Sequence, residues 1–257
     1  MERPIVCLKI GGTSITNDST LDLLIDEIAE LSSIYKFAIV HGGGAEVSEL
    51  SRFFGIDPVF ENGVRMTSDG EMEIVDMVLC GKVNKYLIRK LFSRGIGAVG
   101  LSGSDGGVVI GTSVGGGSRT GKVSSVNKCL IELLIHDGWT PVIASTSMDR
   151  NGFPLNINAD EVALAIASGL PAGVLVFISD IRGVLKQGKV ISRINPCQVK
   201  KEINSGIING GMIPKVLSSI RALDDGVNSV IIGGYKNRGD LELLIGGSLG
   251  TKIFKEK

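Results

Sequence analysis

Histidine is scarce in this sequence, and its scarcity excludes the most tempting catalytic motif. The 257 residues include only His41 and His136. The HGGG run that begins at His41 resembles the oxyanion loop of esterases, and GTSVG at 111–115 and GGSLG at 246–250 fit their nucleophile elbow. An esterase needs an acid and then a histidine after its serine. The second elbow has no histidine after it. The first has only His136, and the sole acid in between is Glu132, within one helical turn of that histidine, so the sequence argues against a serine hydrolase.

Cysteine pairs, an excess of charge and long hydrophobic runs are also missing. The cysteines are Cys7, Cys80, Cys129 and Cys197. They form no CxxC pair, which argues against a disulfide framework or a zinc site, and we interpret them as thiols that fill the core. Lys+Arg and Asp+Glu are 27 each, which argues against a nucleic-acid surface.

No stretch approaches the roughly 18 apolar residues of a membrane span. The opening residues MERPIVCLKI also lack the layout of a signal peptide, because their short apolar run is interrupted by Lys9. We therefore expect a cytoplasmic protein whose partners are small molecules.

Glycine, in contrast, is abundant and marks the ends of hydrophobic runs. The run 5–10 ends in Gly11 and Gly12, and the run 38–41 ends in the glycines 42–44. Each run reads as a strand that leads through a glycine-rich turn into a helix. Such a turn leaves unpaired backbone N–H groups and the positive end of the helix dipole facing one spot, where phosphate commonly binds. Two such turns in one crevice, with Lys9 as the only charge of its strand, indicate that a phosphate is moved.

Short β-type runs alternate with helical patterns along the whole chain, which predicts an α/β fold. Runs such as 174–178 are apolar on both faces, as parallel strands covered on both sides must be. We expect a three-layer α/β/α sandwich with a mostly parallel central sheet, organised as one domain over 1–257. Approximate lobes cover 1–170 and 171–257, although a short connection near 170–173 fits equally well.

Several segments have structural interpretations. A long helical pattern over 68–94 opens with a Ser68–Glu71 capping box and is interrupted by Gly81, so it predicts two helices or one kinked helix. The glycine-rich stretch 111–121 predicts a surface loop or hairpin tip, and GGSRTGK within it lacks the hydroxyl residue that a P-loop needs. The GxGxxG pattern at 95–100 follows a helix, so we interpret it as a helix C-cap.

The remaining candidates suit phosphoryl transfer, which needs donors, cations and an ordering acid but no histidine. Lys9 lies at the carboxyl end of its strand, where ligands bind in open α/β sheets. Its side chain would either contact a ligand there or reach solvent. In LNINAD at 155–160 the alternation places Asn156, Asn158 and Asp160 on one face of an extended segment, as an ordinary half-exposed strand also would. Asp180 follows a strand as a ligand-binding residue or a turn cap. Lys215, in the first turn of a helix, is solvated or faces a ligand.

Seven motifs in order then carry a family resemblance. They are KIGG at 9–12, HGGG at 41–44, NGVRMT at 62–67, LNINAD at 155–160, SDIRGVL at 179–185, GGMIPKV at 210–216 and GTKI at 250–253. Their order and spacing resemble the N-acetylglutamate kinases of the amino-acid kinase family. The resemblance implies transfer of the γ-phosphoryl group of MgATP, with ATP and Mg²⁺ as cofactors, to the side-chain carboxylate of N-acetyl-L-glutamate, a step of arginine biosynthesis.

The resemblance also implies roles for single residues. Lys9 and Lys215 would stabilise the transition state, and Asp160 would orient both. The substrate would be bound by Gly43, Gly44, Arg65, Asn156 and Asn158. The nucleotide would be bound by Gly11, Gly12, Asp180, Ile181, Arg182, Gly183, Val184, Leu185, Ile207, Ile208, Asn209 and Met212.

Two departures from the family pattern affect further expectations. Ser104 stands where many members carry lysine, and only eight residues precede Lys9, too few for the N-terminal helix of arginine-inhibited hexamers. We therefore expect a homodimer that arginine does not inhibit, with residues 68–94 at the interface. A kinase for carrier-bound aminoadipate or glutamate is the nearest alternative, although such enzymes tend to have NVDGD in place of NINAD. A non-catalytic ligand sensor is the more distant alternative, and it would be expected to lack one of the lysines or the aspartate.

Overall fold

The computed structural model describes residues 3–11, 17–61, 63–170, 172–210 and 212–255. Its strands are β1 (Ile5–Ile10), β2 (Lys36–His41), β3 (Val59–Glu61), β4 (Val64–Met66), β5 (Ala98–Ser102), β6 (Val109–Ser113), β7 (Thr120–Val126), β8 (Thr140–Ala144), β9 (Thr146–Met148), β10 (Pro154–Ile157), β11 (Ala172–Ile178), β12 (Leu185–Lys186), β13 (Lys189–Val190), β14 (Arg193–Ile194), β15 (Ser229–Gly233) and β16 (Thr251–Phe254). Its α-helices are α1 (Asp18–Leu31), α2 (Gly44–Phe53), α3 (Asp69–Asp76), α4 (Asn84–Phe92), α5 (Cys129–His136), α6 (Ala159–Gly169), α7 (Pro196–Asn204), α8 (Met212–Asp224) and α9 (Asp240–Gly246).

The centre of the molecule is an eight-stranded sheet in the order β14-β16-β15-β11-β1-β2-β8-β5. Neighbouring strands are parallel except for β15 and β16, which are antiparallel. The middle strands are hydrophobic on both faces because helices cover both faces. The expected mostly parallel sheet is confirmed.

Side chains of alternate positions in the sheet enter two separate cores. Leu8, Ile10 and Val176 join a cluster with the buried stripes of α1, α3, α4 and α9. Cys7, Leu175 and Phe177 point the other way, into a cluster that includes residues of α5, α6 and α8. This alternation follows from the two-residue period of a strand, and it confirms the three-layer arrangement.

A second, small sheet flanks the main one. Strands β10, β7, β6 and β9 pair in a closed cycle. Strands β6 and β7 form a hairpin whose tip contains Gly115, Gly116 and Gly117 with positive φ angles, which confirms the expected hairpin at 111–121. Gly121 has little room for a side chain, because a Cβ there would lie 3.0 Å from Leu155 Cδ1.

Residues 69–92 of the segment 68–94 are continuously helical, with an unusual middle. The Ser68 side chain accepts a hydrogen bond from Glu71 N and so caps α3. Between α3 and α4 the chain continues as a π-helix, Met77–Val83, which includes Gly81. Neither of the two arrangements that we considered included this wider turn.

The cysteine interpretation is only partly right. Cys7 is buried and Cys80 half-buried, whereas Cys129 and Cys197 are exposed. Cys129 begins α5 and Cys197 lies in the first turn of α7, on helical surfaces that face solvent. Within the described ranges, no helix has the length and apolar character needed to cross a bilayer.

Candidate active site

The candidate site lies where the order of the parallel strands changes direction. From β1 the chain moves outward through β2 on one side, and from β11 it moves outward through β15 on the other side. Strands β1 and β11 are direct neighbours. The crevice outside the carboxyl ends of such a strand pair is the usual ligand site of open α/β sheets.

Three charged residues that are far apart in sequence meet in this crevice. Lys9 Nζ lies 2.8 Å from Asp160 Oδ1, and Lys215 Nζ lies 3.2 Å from Asp160 Oδ2. Lys9 comes from the end of β1, Asp160 from the first turn of α6 and Lys215 from the first turn of α8. The three predicted catalytic residues are therefore brought together, with one carboxylate between two ammonium groups.

The two lysines keep the carboxylate ionised although it is largely buried. Burial would raise the pKa of Asp160, but the charges of Lys9 and Lys215 outweigh burial and hold that pKa below its ordinary value. Lys215 Nζ also lies 5.4 Å from the centre of the Phe177 ring, which gives the amine a second favourable contact. The group is thus ordered and carries a net positive charge.

The position of Asp160 corrects the sequence interpretation of LNINAD. The extended segment ends at Ile157, and Asn158 is the N-cap of α6, with its side chain accepting a hydrogen bond of 2.8 Å from Asp160 N. Asn158 therefore starts the helix, as capping asparagines do. Asp160 reaches the lysines from a helix and not from an extended face shared with Asn156.

The lack of a side chain at Gly11 leaves room for the Lys9 amine. A Cβ at Gly11 would lie 2.6 Å from Lys9 Nζ. Gly43 is the N-cap of α2 and Gly44 its first residue, so the first N–H groups of that helix face the crevice. Gly12 lies outside the described residues.

A cavity of about 300 Å³ opens beside Lys9. All the predicted substrate-binding residues line it, namely Gly43, Gly44, Arg65, Asn156 and Asn158. Phe60, Val64 and Leu79 add apolar wall. A small polar molecule with an apolar part would fit this mixture.

Arg65 is fixed within this wall by several partners. Its Nη1 donates to Glu71 Oε1 at 2.6 Å, and its Nη2 donates to Gly44 O at 2.9 Å and to Ser48 Oγ at 2.6 Å. Asn156 Nδ2 donates to Thr67 Oγ1 at 2.9 Å. Both side chains are therefore held in place before any ligand binds.

The predicted nucleotide-binding residues are more scattered. Val184 and Ile208 are buried in the core, and Ile207 and Met212 are half-buried. Gly183 is packed against Thr251, whose Oγ1 accepts a hydrogen bond of 2.8 Å from Val184 N. The remaining members are exposed: Asp180, Ile181, Arg182, Leu185 and Asn209.

A second cavity, of about 330 Å³, lies on this side of the sheet. Arg182 lines it together with Gly234, Lys236 and Asn237, which the sequence analysis did not select. The sequence does contain a pattern that points to this cavity, because Gly233 and Gly234 follow the hydrophobic run of β15 as other glycine pairs follow the runs of β1 and β2. Sequence reasoning missed these residues because no motif drew attention to them.

The chain belongs to the amino acid kinase family, whose model matches residues 4–234. Within that class, the similar curated proteins are acetylglutamate kinases. The one from Kosmotoga olearia is 38% identical over 96% of this chain and 89% of its own length, and the one from Bacillus licheniformis is 35% identical over 98% and 97%.

Solved structures agree with the family assignment. The smu.665 protein of Streptococcus mutans has a TM-score of 0.83 and 30% identity, covering 98% of this chain and 99% of that one. Carbamate kinase from Giardia lamblia bound to AMP-PNP has a TM-score of 0.71 at 16% identity over 99% of both chains, a similarity of fold.

Proposed function

We propose that this protein transfers the γ-phosphoryl group of MgATP to the side-chain carboxylate of N-acetyl-L-glutamate, giving N-acetyl-L-glutamyl 5-phosphate and ADP in arginine biosynthesis. The observation that carries the proposal is the Asp160 carboxylate between the Lys9 and Lys215 amines, beside a cavity lined by glycine N–H groups and an arginine. The full-length similarity to acetylglutamate kinases supports the choice of substrate.

The reaction needs no general base from the protein. A side-chain carboxyl has a pKa near 4.3 and is already ionised at neutral pH. One of its oxygens attacks the γ-phosphorus in line and forms a new O–P bond. The bond from that phosphorus to the oxygen bridging the β- and γ-phosphates breaks, and ADP leaves. What the protein must supply is alignment and positive charge.

Lys9 and Lys215 would supply that charge to the oxygens of the moving group. Asp160 would hold both amines at the same point, so that little reorganisation is needed during transfer. The N–H groups of Gly43, Gly44 and Gly11 would add fixed donors.

Arg65 would bind a substrate carboxylate with the donors that its present partners leave over. A guanidinium has five N–H donors, and its contacts with Glu71, Ser48 and Gly44 O use only part of them. Asn156 and Asn158 would bind the acetamido group.

The nucleotide would occupy the side of the crevice formed by the loops after β11 and β15. Mg²⁺ would arrive with ATP and neutralise phosphate charge when bound. In the described ranges no group of His, Cys, Asp and Glu side chains forms a metal site, and both oxygens of Asp160 face lysines. The phosphate oxygens of ATP are therefore better suited than these side chains as ligands of Mg²⁺.

A coupled assay for ADP release tests the proposal. The substrates would be N-acetyl-L-glutamate, L-glutamate, N-acetyl-L-aspartate and carrier-bound aminoadipate, each with the native protein and with Lys215→Ala as background. We expect turnover of N-acetyl-L-glutamate, with a product that hydroxylamine traps as a hydroxamate. Turnover of the carrier-bound substrate alone would identify the alternative kinase, and no turnover of any substrate would favour a ligand sensor.

A further inference from the structure

Behind the glycine turn at 42–44 lies a chain of buried polar groups that the proposed reaction does not use. His41 is fully buried at the end of β2. Its Nδ1 lies 2.9 Å from Gly42 O, and its Nε2 lies 3.0 Å from Asn84 Nδ2. Asn84 is also fully buried, on α4.

The contacts of Asn84 fix the orientation of its amide. Nδ2 lies 2.9 Å from Val142 O, which can only accept, and Oδ1 lies 3.0 Å from Lys85 Nζ, which can only donate. Nδ2 is therefore the group that faces His41, and it donates to Nε2. His41 is then neutral, carries its proton on Nδ1 and donates that proton to Gly42 O.

Burial of the His41 ring also favours its neutral form. Removal from water, opposed by the Gly42 carbonyl and reinforced by the charge of Lys85, lowers the pKa of His41 to about 4. The ring is thus uncharged at neutral pH. Lys85 is the charged group that acts on it among the described residues.

The hydrogen bond to Gly42 O determines where the next N–H points. None of the described peptide bonds is cis. In a trans peptide the C=O of Gly42 and the N–H of Gly43 point in opposite directions. When His41 holds the carbonyl on the core side, the Gly43 N–H is turned away from the ring, toward the cavity that Gly42, Gly43 and Gly44 line.

We propose that His41 is a positioning residue that sets the Gly42–Gly43 peptide so that the Gly43 N–H is presented to the transferred phosphoryl group, and that Asn84 sets the His41 tautomer. This inference rests on the proposed function. The Gly43 N–H makes no hydrogen bond elsewhere in the part of the chain that the structure describes, which leaves it available to a ligand.

Gly100 makes room for the arrangement. A Cβ built at Gly100 would overlap the Asn84 side-chain oxygen, and Lys85 Nζ lies 3.3 Å from Gly100 O. The last glycine of the GxGxxG pattern is thus explained by the close approach of α4 to β5. The sequence pattern gave no indication of this role.

Two substitutions at His41 separate positioning from packing. In His41→Asn the side-chain amide occupies the place of Nδ1 and can still donate to Gly42 O. In His41→Gln the amide reaches the place of Nε2, and the donor to Gly42 O is lost. We expect kcat to fall at least 10-fold further in His41→Gln than in His41→Asn, with the KM for N-acetyl-L-glutamate changed less than 3-fold, because the Gly43 N–H acts on the moving phosphoryl group.

His136→Gln is the matched control, because His136 is exposed at the end of α5. Its kcat should equal that of the native protein. Equal kcat values in both His41 variants would overturn the inference while leaving the proposed function intact. Absence of turnover in the native protein would overturn the proposed function instead.

A measurement on the His136→Gln control protein needs no turnover. With two histidines in the chain, ¹⁵N-labelled His136→Gln gives the His41 ring signals alone. We expect the Nδ1–H tautomer, unchanged from pH 6 to pH 8. An Nε2–H tautomer, or a cationic ring at pH 7, would overturn the inference whether or not the variants fold.

Discussion

At the scale of single residues, the site is a small positively charged cluster in which one carboxylate, Asp160, positions two lysine amines. Two ammonium groups and one carboxylate leave a net charge of plus one, next to glycine N–H groups that add partial positive charge. Such a cluster favours a group that carries more negative charge during transfer than before it. The catalytic contribution of each lysine should therefore exceed its contribution to stability.

Replacement of either lysine tests this point. We expect Lys9→Ala and Lys215→Ala each to lose roughly 10²-fold or more in kcat, about 3 kcal/mol of transition-state stabilisation. The free energy of unfolding should change little, since the remaining lysine still pairs with Asp160. Lys255→Ala is the control, because Lys255 is exposed and pairs with Asp224 at 2.8 Å, away from the candidate site. Near-native turnover in either active-site variant would remove that lysine from the mechanism.

His41 should make stability depend on pH. Its pKa is about 4 in the folded protein and near 6.5 when unfolded, so the unfolded chain binds the additional proton first as the pH falls. Stability from this group is complete above pH 6.5 and is lost toward pH 4, by about 3 kcal/mol at 1.36 kcal/mol per pKa unit.

Urea unfolding at pH 7 and pH 4 measures that loss. His41→Asn has no titratable ring and should lose less stability than the native protein over the same interval. Parallel losses in the two proteins would show that His41 is not buried in its neutral form.

At the scale of elements, helix ends connect the parts of the molecule. Glu27 of α1 is buried, and its carboxylate accepts from Gly239 N at 3.1 Å and Glu242 N at 2.9 Å. Gly239 is the N-cap residue of α9 and Glu242 is its third residue, so a carboxylate from another helix supplies the cap. The loop between β15 and α9 lines the second cavity, which ties that cavity to α1.

Loss of this cap should destabilise the fold. We expect Glu27→Ala to lower the free energy of unfolding by about 2 to 3 kcal/mol, because two N–H groups lose a charged acceptor. Glu27→Gln keeps one acceptor oxygen and should lie between Ala and the native protein. Glu30→Ala is the matched surface control on the same helix, since Glu30 pairs with the exposed Arg238. A Glu27→Ala protein as stable as this control would contradict the cap.

Local patterns predicted the elements better than their junctions. The turn after β2 was readable because a hydrophobic run and glycines are adjacent in sequence. Asn158 was misread, because a strand alternation and a helix N-cap begin with the same residues. The π-helix at Met77–Val83 was not predictable, since its packing depends on Gly43, where a Cβ would lie 2.8 Å from Leu79 Cδ2.

The site itself was predictable only in part. Lys9, Asp160 and Lys215 were selected with the help of the family resemblance, and spacing alone left Lys215 undecided. The His41–Asn84 contact joins β2 to α4 through tertiary packing. Nothing in the local sequence at either residue marks such a contact.

At the scale of the whole molecule, the exposed apolar side chains bear on assembly. Within residues 68–94, Met77 is 53% exposed and Phe92 is 79% exposed. Burial of large apolar side chains against a second copy would stabilise an interface. We propose that two copies of the chain associate through this region.

Light scattering tests the assembly. We expect a mass twice the 27.0 kDa of the chain. Phe92→Glu should shift the protein toward monomer, whereas Phe53→Glu, at an equally exposed phenylalanine outside the region, should not. A monomeric or hexameric native protein would contradict the predicted homodimer.

The central claim is that amines from β1 and α8 converge on one migrating phosphoryl group. The most direct measurement is a crystal structure with ADP, aluminium fluoride as a mimic of that group, and N-acetyl-L-glutamate. The account predicts Lys9 Nζ and Lys215 Nζ each within about 3 Å of the fluoride ligands, with Asp160 still between them. An amine directed away from the mimic, or a substrate carboxylate bound outside the cavity at Arg65, would contradict it.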